Sequence, residues 1–374
     1  MPVTDIGIIE SWNEATVSAG AEIASDGALQ NKDQRTLKEL FGTGTLDLAI
    51  WHSLIAASGT MVENVNHLPS PILNTNKPAT SDVAVPTWKV GIDESSPFRI
   101  KTVLNVKSIT QNLTAWQISG FSAAPTAGDT GTRQMVFVPL NTDHYQLIRW
   151  KAGSGTENFN GSAWQAGTAS VAFTKNEFIA LTLISDGTSW QLEFTNQDGT
   201  QQFITPAITW ADTLALGGGE DALLVLGETR NSLGIGNLYF SSVEAWPTEL
   251  ATTYLTSAQT CESDSYAMDE EFDSDDITVK LGRTPAGATE IKVYVKEDAG
   301  AFGAAINVNV TPIAGETGWF KFAAGTTFSS HSAVTLKIEL NSPDTSTQLE
   351  AIELKIKGIT VAGGGQEAAT GGFL

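Results

Sequence analysis

The chain has 374 residues, with 42 acidic against 21 basic side chains and a formal net charge of −21. The deficit is spread as −7 over residues 1–97, −5 over 98–261 and −9 over 262–374; with no basic stripe anywhere, binding to nucleic-acid phosphates or to anionic lipid is excluded. Cys261 is the single cysteine, which excludes an intrachain disulfide and a thiolate metal cluster, and no apolar run reaches the roughly 18 residues that would predict a membrane helix.

The length suits two to three domains of about 100–200 residues each. Apolar residues make up 41% and charged residues 17%, so the polar surface comes from Thr, Ser, Asn, Gln and Gly, a composition of β-sheet faces and turns rather than solvated helices. The stretch Met1-Pro2-Val3-Thr4-Asp5 has no basic region leading into an apolar run and is not expected to be a signal peptide, which fits synthesis in the cytosol without oxidation. Residues 1–96 are read as an irregular N-terminal attachment region. Gln34–Phe41 predicts a short helix stopped by Gly42, and Thr45–Ala56 fits either strand or helix. Leu68-Pro69-Ser70-Pro71 and Lys77-Pro78 interrupt regular structure. The second reading makes this region outer strands of the domain that follows.

From residue 97 the pattern is β. Phe98–Val106, Thr114–Ile118, Arg133–Leu140 and Tyr145–Trp150 are short runs rich in branched and aromatic residues, separated by turn residues. Phe178–Ser185, Asp186-Gly187, Ser189–Thr195, Asp198-Gly199 and Gln201–Ile204 spell a three-strand meander, because Asp-Gly between alternating apolar runs supplies the positive φ of a hairpin turn. Leu223–Gly227 and Ile235–Trp246 add two strands, and Pro247-Thr248-Glu249-Leu250 opens a short helix predicted through Leu255. Residues 97–256 are therefore one β-sandwich domain.

Residues 257–276 hold eight acids among serines and are read as an acidic linker. Ile277–Leu281, Glu290–Lys296, Ile306–Val310, Trp319–Phe322, Ala333–Leu340 and Gln348–Ile359 then alternate apolar and polar residues. They predict a second, smaller antiparallel sandwich over 277–361. Residues 362–374 form a Gly-rich tail, expected to be flexible or ordered by a partner.

Catalytic motifs are absent from the sequence: there is no His-Glu-x-x-His, Walker-type glycine loop or Gly-x-Ser-x-Gly. The four histidines, His52, His67, His144 and His331, are scattered, which favours ordinary surface or core positions. Glu271-Phe272-Asp273-Ser274-Asp275 has the spacing that places carboxylates on one side of a strand, but it lies in the acidic stretch and reads as a solvated turn. Calcium is the one ion left open, with Asp186, Asp198 and Asp221 as loop candidates; for Asp186 and Asp198, hairpin chemistry is the competing explanation. Trp150, Trp164 and Trp190 are the candidate sugar-stacking residues, weighed against tryptophan's usual place in a sandwich core. Asn112, Asn160 and Asn309 begin glycosylation triplets that are taken as chance matches.

Phe178–Gly199, Leu223–Gly227 and Gly236–Trp246 followed by Thr248-Glu249-Leu250 resemble the meander, the strand ending in Gly, and the closing strand of the laminin-G-like, concanavalin-like jelly roll. Asn237 stands where many members of that family carry Asp, so no binding residue is carried over. Ala333–Ile359 is similar to a closing hairpin in small sandwich modules of bacteriophage tail and fibre proteins. The acidic, nearly cysteine-free chain of serial sandwiches resembles a phage virion structural protein. The expected fold is all-β, a concanavalin-like jelly roll followed by a smaller antiparallel sandwich. The resemblance implies a non-enzymatic virion component, tail-, fibre- or baseplate-associated. Such a protein would assemble in the host cytoplasm, form a homo-oligomer, pack against other virion proteins and touch a host surface glycan through the jelly roll. Two alternatives are a capsid decoration or head-fibre protein and a carbohydrate-binding protein outside a virion. A glycan-cleaving enzyme is the remaining class, with Glu193 and Glu228 as the residues whose loss would reveal it.

Overall fold

The structure, a computed structural model, describes residues 8–356 except 10–11, 13–15, 25–27, 68–69, 130, 141–142, 154, 175–176, 231–233, 250, 252, 269–270 and 330. Among the described residues the regular elements are β-strands and two short 3-10 turns. The chain divides into two compact units, one formed by Arg35–Ala251 and the other by Met1–Gln34 together with Thr252–Leu374.

The Arg35–Ala251 unit is the jelly roll, two antiparallel sheets of nine strands each. The first sheet runs in the order Trp164–Ala166, Thr156–Phe159, His144–Trp150, Thr132–Pro139, Trp116–Phe121, Asp221–Val225, Val83–Trp88, Trp51–Ala56, with Val171–Ala172 beside His144–Trp150. The second runs Gln202–Ile204, Ser189–Asn196, Phe178–Asp186, Pro97–Gln111, Ile235–Trp246, Ile72–Lys77, Thr60–Asn64. Ile208–Thr209 pairs with Ser189–Asn196, and Leu37–Glu39 with Ile235–Trp246. Alternation along each strand sends one set of side chains into a shared core: Trp51, Trp116, Ile118, Phe137 and Leu147 from the first sheet meet Leu73, Leu104, Leu181, Leu192 and Phe240 from the second.

The two Asp-Gly hairpins form as expected. Gly187 and Gly199 adopt φ of 84° and 72°, which an L side chain tolerates poorly. The strands they join keep unbroken register from Ile179↔Asn196 to Ser185↔Trp190. Asp186 and Asp198 accept hydrogen bonds from backbone amides two residues on, at 2.7 and 2.9 Å, the usual Asx-turn role.

The expected boundary at 96/97 does not divide the fold. Residues 37–88 supply five strands to the jelly roll, whereas Ala21–Ile23 and Leu29–Asn31 belong to the other unit, so residues 1–96 are neither a separate attachment region nor, as a whole, outer strands of the jelly roll. The helix predicted over Gln34–Phe41 is instead the strand Leu37–Glu39, paired with Ala245 and Val243. Leu37 and Phe41 bury there against the core, and that tertiary packing overrides a weak local preference.

In the other unit a continuous antiparallel path runs Ala21–Ile23, Leu29–Asn31, Glu350–Ile356, Ile277–Leu281, Trp319–Phe322, Ile306–Pro312, Ile291–Glu297, His331–Leu340, Gln259–Glu262. Ile306–Pro312 joins the two halves through an irregular register between Val308 and Pro312. Both halves line one core, with Leu29, Val279, Phe320 and Leu354 from one, and Cys261, Val293, Val295 and Leu336 from the other. This is the smaller sandwich, but its first strands come from before residue 34. Leu29 pairs with Ala351, and the Leu349 amide donates to Asn31 Oδ1 at 3.1 Å. The jelly roll is thus inserted into the small sandwich. The Gln34 amide donates to the Thr253 carbonyl at 2.8 Å, joining the segments that precede and follow the insertion.

Two further expectations are corrected. Residues 257–276 are not a linker: Gln259–Glu262 pairs with His331–Leu340, and Phe272–Asp273 with Thr327–Phe328. Gln259, Cys261 and Ser263 are buried while Thr260 and Glu262 are not, so a two-residue rhythm runs beneath the acids. The helix predicted after Trp246 is absent from the described residues there; the Thr253 and Tyr254 amides both donate to the Thr345 carbonyl, at 3.1 and 2.9 Å. The Gly-rich tail at 362–374 lies outside the described residues, as do residues 357–361 of the expected second sandwich and Met1–Asp5.

Candidate functional site

The three candidate tryptophans do not form one surface. Trp190 is 1% exposed, and its indole N–H donates to Thr213 Oγ1 at 2.8 Å. Trp164 meets it edge-on at 5.8 Å, and Trp210 lies on its other side at 6.0 Å. Arg149 sits 5.7 Å over the Trp164 ring, held there by Glu157 at 2.5 Å. These rings close the seam where the short edge strands of the two sheets, Trp164–Ala166 and Gln202–Ile204, end the sandwich. Trp150 is half-buried, on the face of its strand opposite Arg149. Trp190 is therefore a core residue, its ring closed to a sugar. We expect Trp190→Ala to cost about 3–5 kcal/mol of jelly-roll stability, measured by chemical denaturation, and Trp150→Ala less than half as much.

The calcium candidates are also separated by role. Asp186 and Asp198 are held by their own turns, and these hydrogen bonds keep both carboxyls below the usual range. Asp221 opens the strand Asp221–Val225 and lies against Gly91, where an added Cβ would come within 3.3 Å of the Asp221 Cβ. Among the described residues no three His, Cys, Asp or Glu side chains come together as a metal site.

Two open depressions flank Glu220 at one end of the first sheet. One, of about 380 Å³, is lined by Phe121, Asp129, Thr132 and Glu220. The other, of about 470 Å³, is lined by Glu94, Leu216, Glu220 and Asp221. Glu94 is the unusual group here. Burial raises its pKa, and the 2.5 Å hydrogen bond from Gln134 Nε2 offsets this only in part. A raised carboxyl in a cleft is the kind of group an acid catalyst uses. Nothing in Asp93-Glu94-Ser95-Ser96 distinguishes it from an ordinary turn, so no local signal marks it. Glu220 accepts the Gly217 amide at 2.8 Å, holding its loop.

The two carboxylates named as enzymatic candidates are both ion-paired. Glu193, on the strand Ser189–Asn196, accepts from Arg99 at 3.1 Å. Glu228, with a side chain 1% exposed, is bound by Arg133 at 2.6 Å, Arg230 at 3.1 Å and the Thr114 hydroxyl at 2.6 Å. Burial alone would raise the Glu228 pKa, but the hydrogen bonds and charges of Arg230 and Arg133, with Thr114, hold it below the usual carboxylate value. Lys77 closes the same region by donating to the Arg230 carbonyl at 2.7 Å, and the space left beside Glu228 is about 10 Å³, with no room for a substrate. Nearby, Thr229 Oγ1 donates to the Asp129 carbonyl at 2.6 Å, tying together the loops on either side.

These units define an all-β protein of two antiparallel sandwiches, the larger a jelly roll. No family model matches the chain, and no curated protein matches it. Solved structures with a similar arrangement include a carbohydrate esterase from the Shiga toxin-encoding bacteriophage phi24B, 11% identical with a TM-score of 0.38 over 57% of this chain and 98% of that one. The exolytic alginate lyase of Zobellia galactanivorans is 8% identical, with a TM-score of 0.37 over 58% and 96%. The calcium-bound exoplasmic/lumenal domain of VIP36 is 10% identical, with a TM-score of 0.37 over 62% and 94%. At these identities and TM-scores no activity or ligand passes from these proteins to this chain.

Proposed function

We propose that this chain is a non-enzymatic structural protein of a bacteriophage virion, tail-, fibre- or baseplate-associated, whose jelly roll also touches a host glycan. The observation that carries the reading is the use of two buried carboxylates: Glu228 and Glu290 are each ion-paired with arginine inside their own sandwich, which stiffens it. Two disulfide-free sandwiches with a single buried cysteine suit a protein made in a reducing cytosol and then exposed outside the cell.

Self-assembly into a homo-oligomer belongs to the same reading. Of the eight large hydrophobics exposed among the described residues, Leu40, Leu48, Ile55, Val62, Val65 and Val90 fall within residues 40–90. Trp51–Ala56 and Thr60–Asn64 are the end strands of the two sheets there, and an unpaired apolar edge favours association.

Mass spectrometry of purified virions tests the proposal: the chain should be present at a stoichiometry of several copies per particle. Its absence from particles would end the virion reading. Turnover of a polysaccharide by the purified protein, abolished by Glu94→Gln, would end the non-enzymatic one.

A further inference from the structure

In the small sandwich a lysine and an asparagine meet on one carboxylate oxygen. Lys292, on Ile291–Glu297, stands directly opposite Glu339, on His331–Leu340, and its Nζ donates to Glu339 Oε1 at 2.7 Å. Asn341 follows two residues after Glu339, where its backbone amide donates to the Glu290 carbonyl at 2.7 Å. Its Nδ2 donates to the same Glu339 Oε1 at 2.9 Å. Two nitrogens on one oxygen lie within about 5 Å of each other at ordinary hydrogen-bond angles. Asn341 Nδ2 also donates to the Thr289 carbonyl at 3.1 Å, which fixes the plane of the carboxamide. The Tyr294 hydroxyl donates to Glu339 Oε2 at 2.6 Å. The charges around the cluster have partners of their own. Glu290 is held by Arg283 at 2.7 Å and by the Ala286 and Gly287 amides, and Lys337 lies 4.2 Å over the Tyr294 ring.

An ion pair needs only the lysine and the carboxylate. Here a nucleophile, a proton carrier and a carboxamide are in place together, and the carrier touches both nitrogens through one atom. Glu339 is 8% exposed and the Lys292 side chain 24%. Burial would raise the Glu339 pKa, but the hydrogen bonds from Lys292, Tyr294 and Asn341 hold it below the usual carboxylate value. It therefore starts ionised, ready to take a proton. A proton passed from the ammonium to Oε1 turns two charges into two neutral groups, which burial favours, and it frees the Nζ lone pair for attack.

We propose that Lys292 and Asn341 are joined by an isopeptide bond, formed within the folded chain with Glu339 as the proton carrier. Lys292 Nζ bonds to Asn341 Cγ, and the Cγ–Nδ2 bond breaks. Glu339 Oε1, already hydrogen-bonded to Nδ2, returns its proton to the leaving nitrogen. Nζ gives up two protons in all; with the two hydrogens already on Nδ2 they leave as ammonium. Glu339 ends ionised, as it began, and no oxidant or co-reactant is consumed. The bond closes residues 292–341 into a covalent ring across two neighbouring strands. It constrains the unfolded chain as a disulfide would, in a protein whose single cysteine is buried and free. This inference goes beyond the virion reading and does not depend on it.

Peptide mass mapping of the full chain tests it. The parent should yield one branched peptide joining the segments that hold Lys292 and Asn341, lighter by one ammonia than the two segments together. Lys292→Arg keeps the ion pair but has no amine to attack with, and Glu339→Gln keeps the size but cannot carry the proton. Both should give the two segments separately, as should Asn341→Ser if either of them melts early. Lys280→Arg, which alters the more exposed pair with Glu353, should leave the branched peptide in place. Separate segments from the parent, both fresh and after prolonged incubation in mildly alkaline buffer, overturn the bond. Ammonia loss that persists in Lys292→Arg overturns its assignment to these residues. A branched peptide at the parent's yield from Glu339→Gln overturns the role given to Glu339.

Discussion

Replacing Glu228 by Gln is expected to destabilise the jelly roll by about 3 kcal/mol, the low end of the cost of breaking a buried ion pair from one side. The change removes a charge from between Arg133 and Arg230, whose side chains are 10% and 28% exposed, and leaves the more buried guanidinium without a counter-charge. Eight of the ten tryptophans lie within residues 35–251, so fluorescence-monitored denaturation reports chiefly on this unit. The pH dependence has a definite sign. The Glu228 pKa is lower in the folded chain than its ordinary value of 4.5, so its contribution is fully present above that value and is lost as pH falls through the folded pKa. The gap between parent and variant should therefore be constant near neutrality and shrink on acidification below about 4.5. A gap under about 0.5 kcal/mol at pH 7, the scatter of surface substitutions, would mean that the cluster is not a buried network. Replacing Glu228 and Arg133 together by Leu and Met should recover part of the loss, because apolar residues of similar volume avoid the desolvation cost.

The second large effect concerns the insertion. A chain lacking residues 1–34 loses the strands Ala21–Ile23 and Leu29–Asn31. With them go Ala28, Leu29 and Asn31, each 0% exposed. Losing one buried leucine costs about 2–5 kcal/mol, and an uncovered strand Glu350–Ile356 adds to it, so the total approaches the roughly 5–15 kcal/mol that holds a domain together. Residues 252–374 expressed alone should give a poorly dispersed NMR spectrum, and addition of a peptide spanning residues 1–34 should restore dispersion. Residues 35–251 alone should fold, since both jelly-roll sheets lie wholly within that range. A well-dispersed spectrum from 252–374 without the peptide would contradict the shared core.

The parts legible in the sequence are those whose signal is local. Phe178–Asp186 and Ser189–Asn196 alternate and are joined by Asp-Gly; Ile291–Glu297 alternates likewise in the small sandwich. What could not be read depends on distant partners. Leu29–Asn31 is three residues long and becomes a strand only because Glu350–Ile356 lies beside it. Leu37, Leu40 and Phe41 have helical spacing, yet Leu37 and Phe41 are buried while Leu40 is 48% exposed. At Gln259–Glu262 the acids of the surrounding stretch hide a strand whose Cys261 is fully buried.

The sites follow the same logic. Trp190 was recognisable as a strand residue, but its burial depends on Trp164 and Trp210 arriving from other segments. Asp186 and Asp198 accept the amide hydrogen bonds of their own turns, which the Asp-Gly pairs in the sequence imply. The cluster of Lys292, Glu339 and Asn341 is invisible before register is known, since it assembles only where Ile291–Glu297 lies beside His331–Leu340.

One sandwich interrupts the other along the chain. Native-state hydrogen exchange with peptide-level mass spectrometry, followed through a denaturant series, checks this. Amides of residues 16–31 should lose protection together with those of 277–356, and amides of 51–88 together with those of 97–246. Residues 16–88 opening as a block of their own, independent of both later groups, would contradict it.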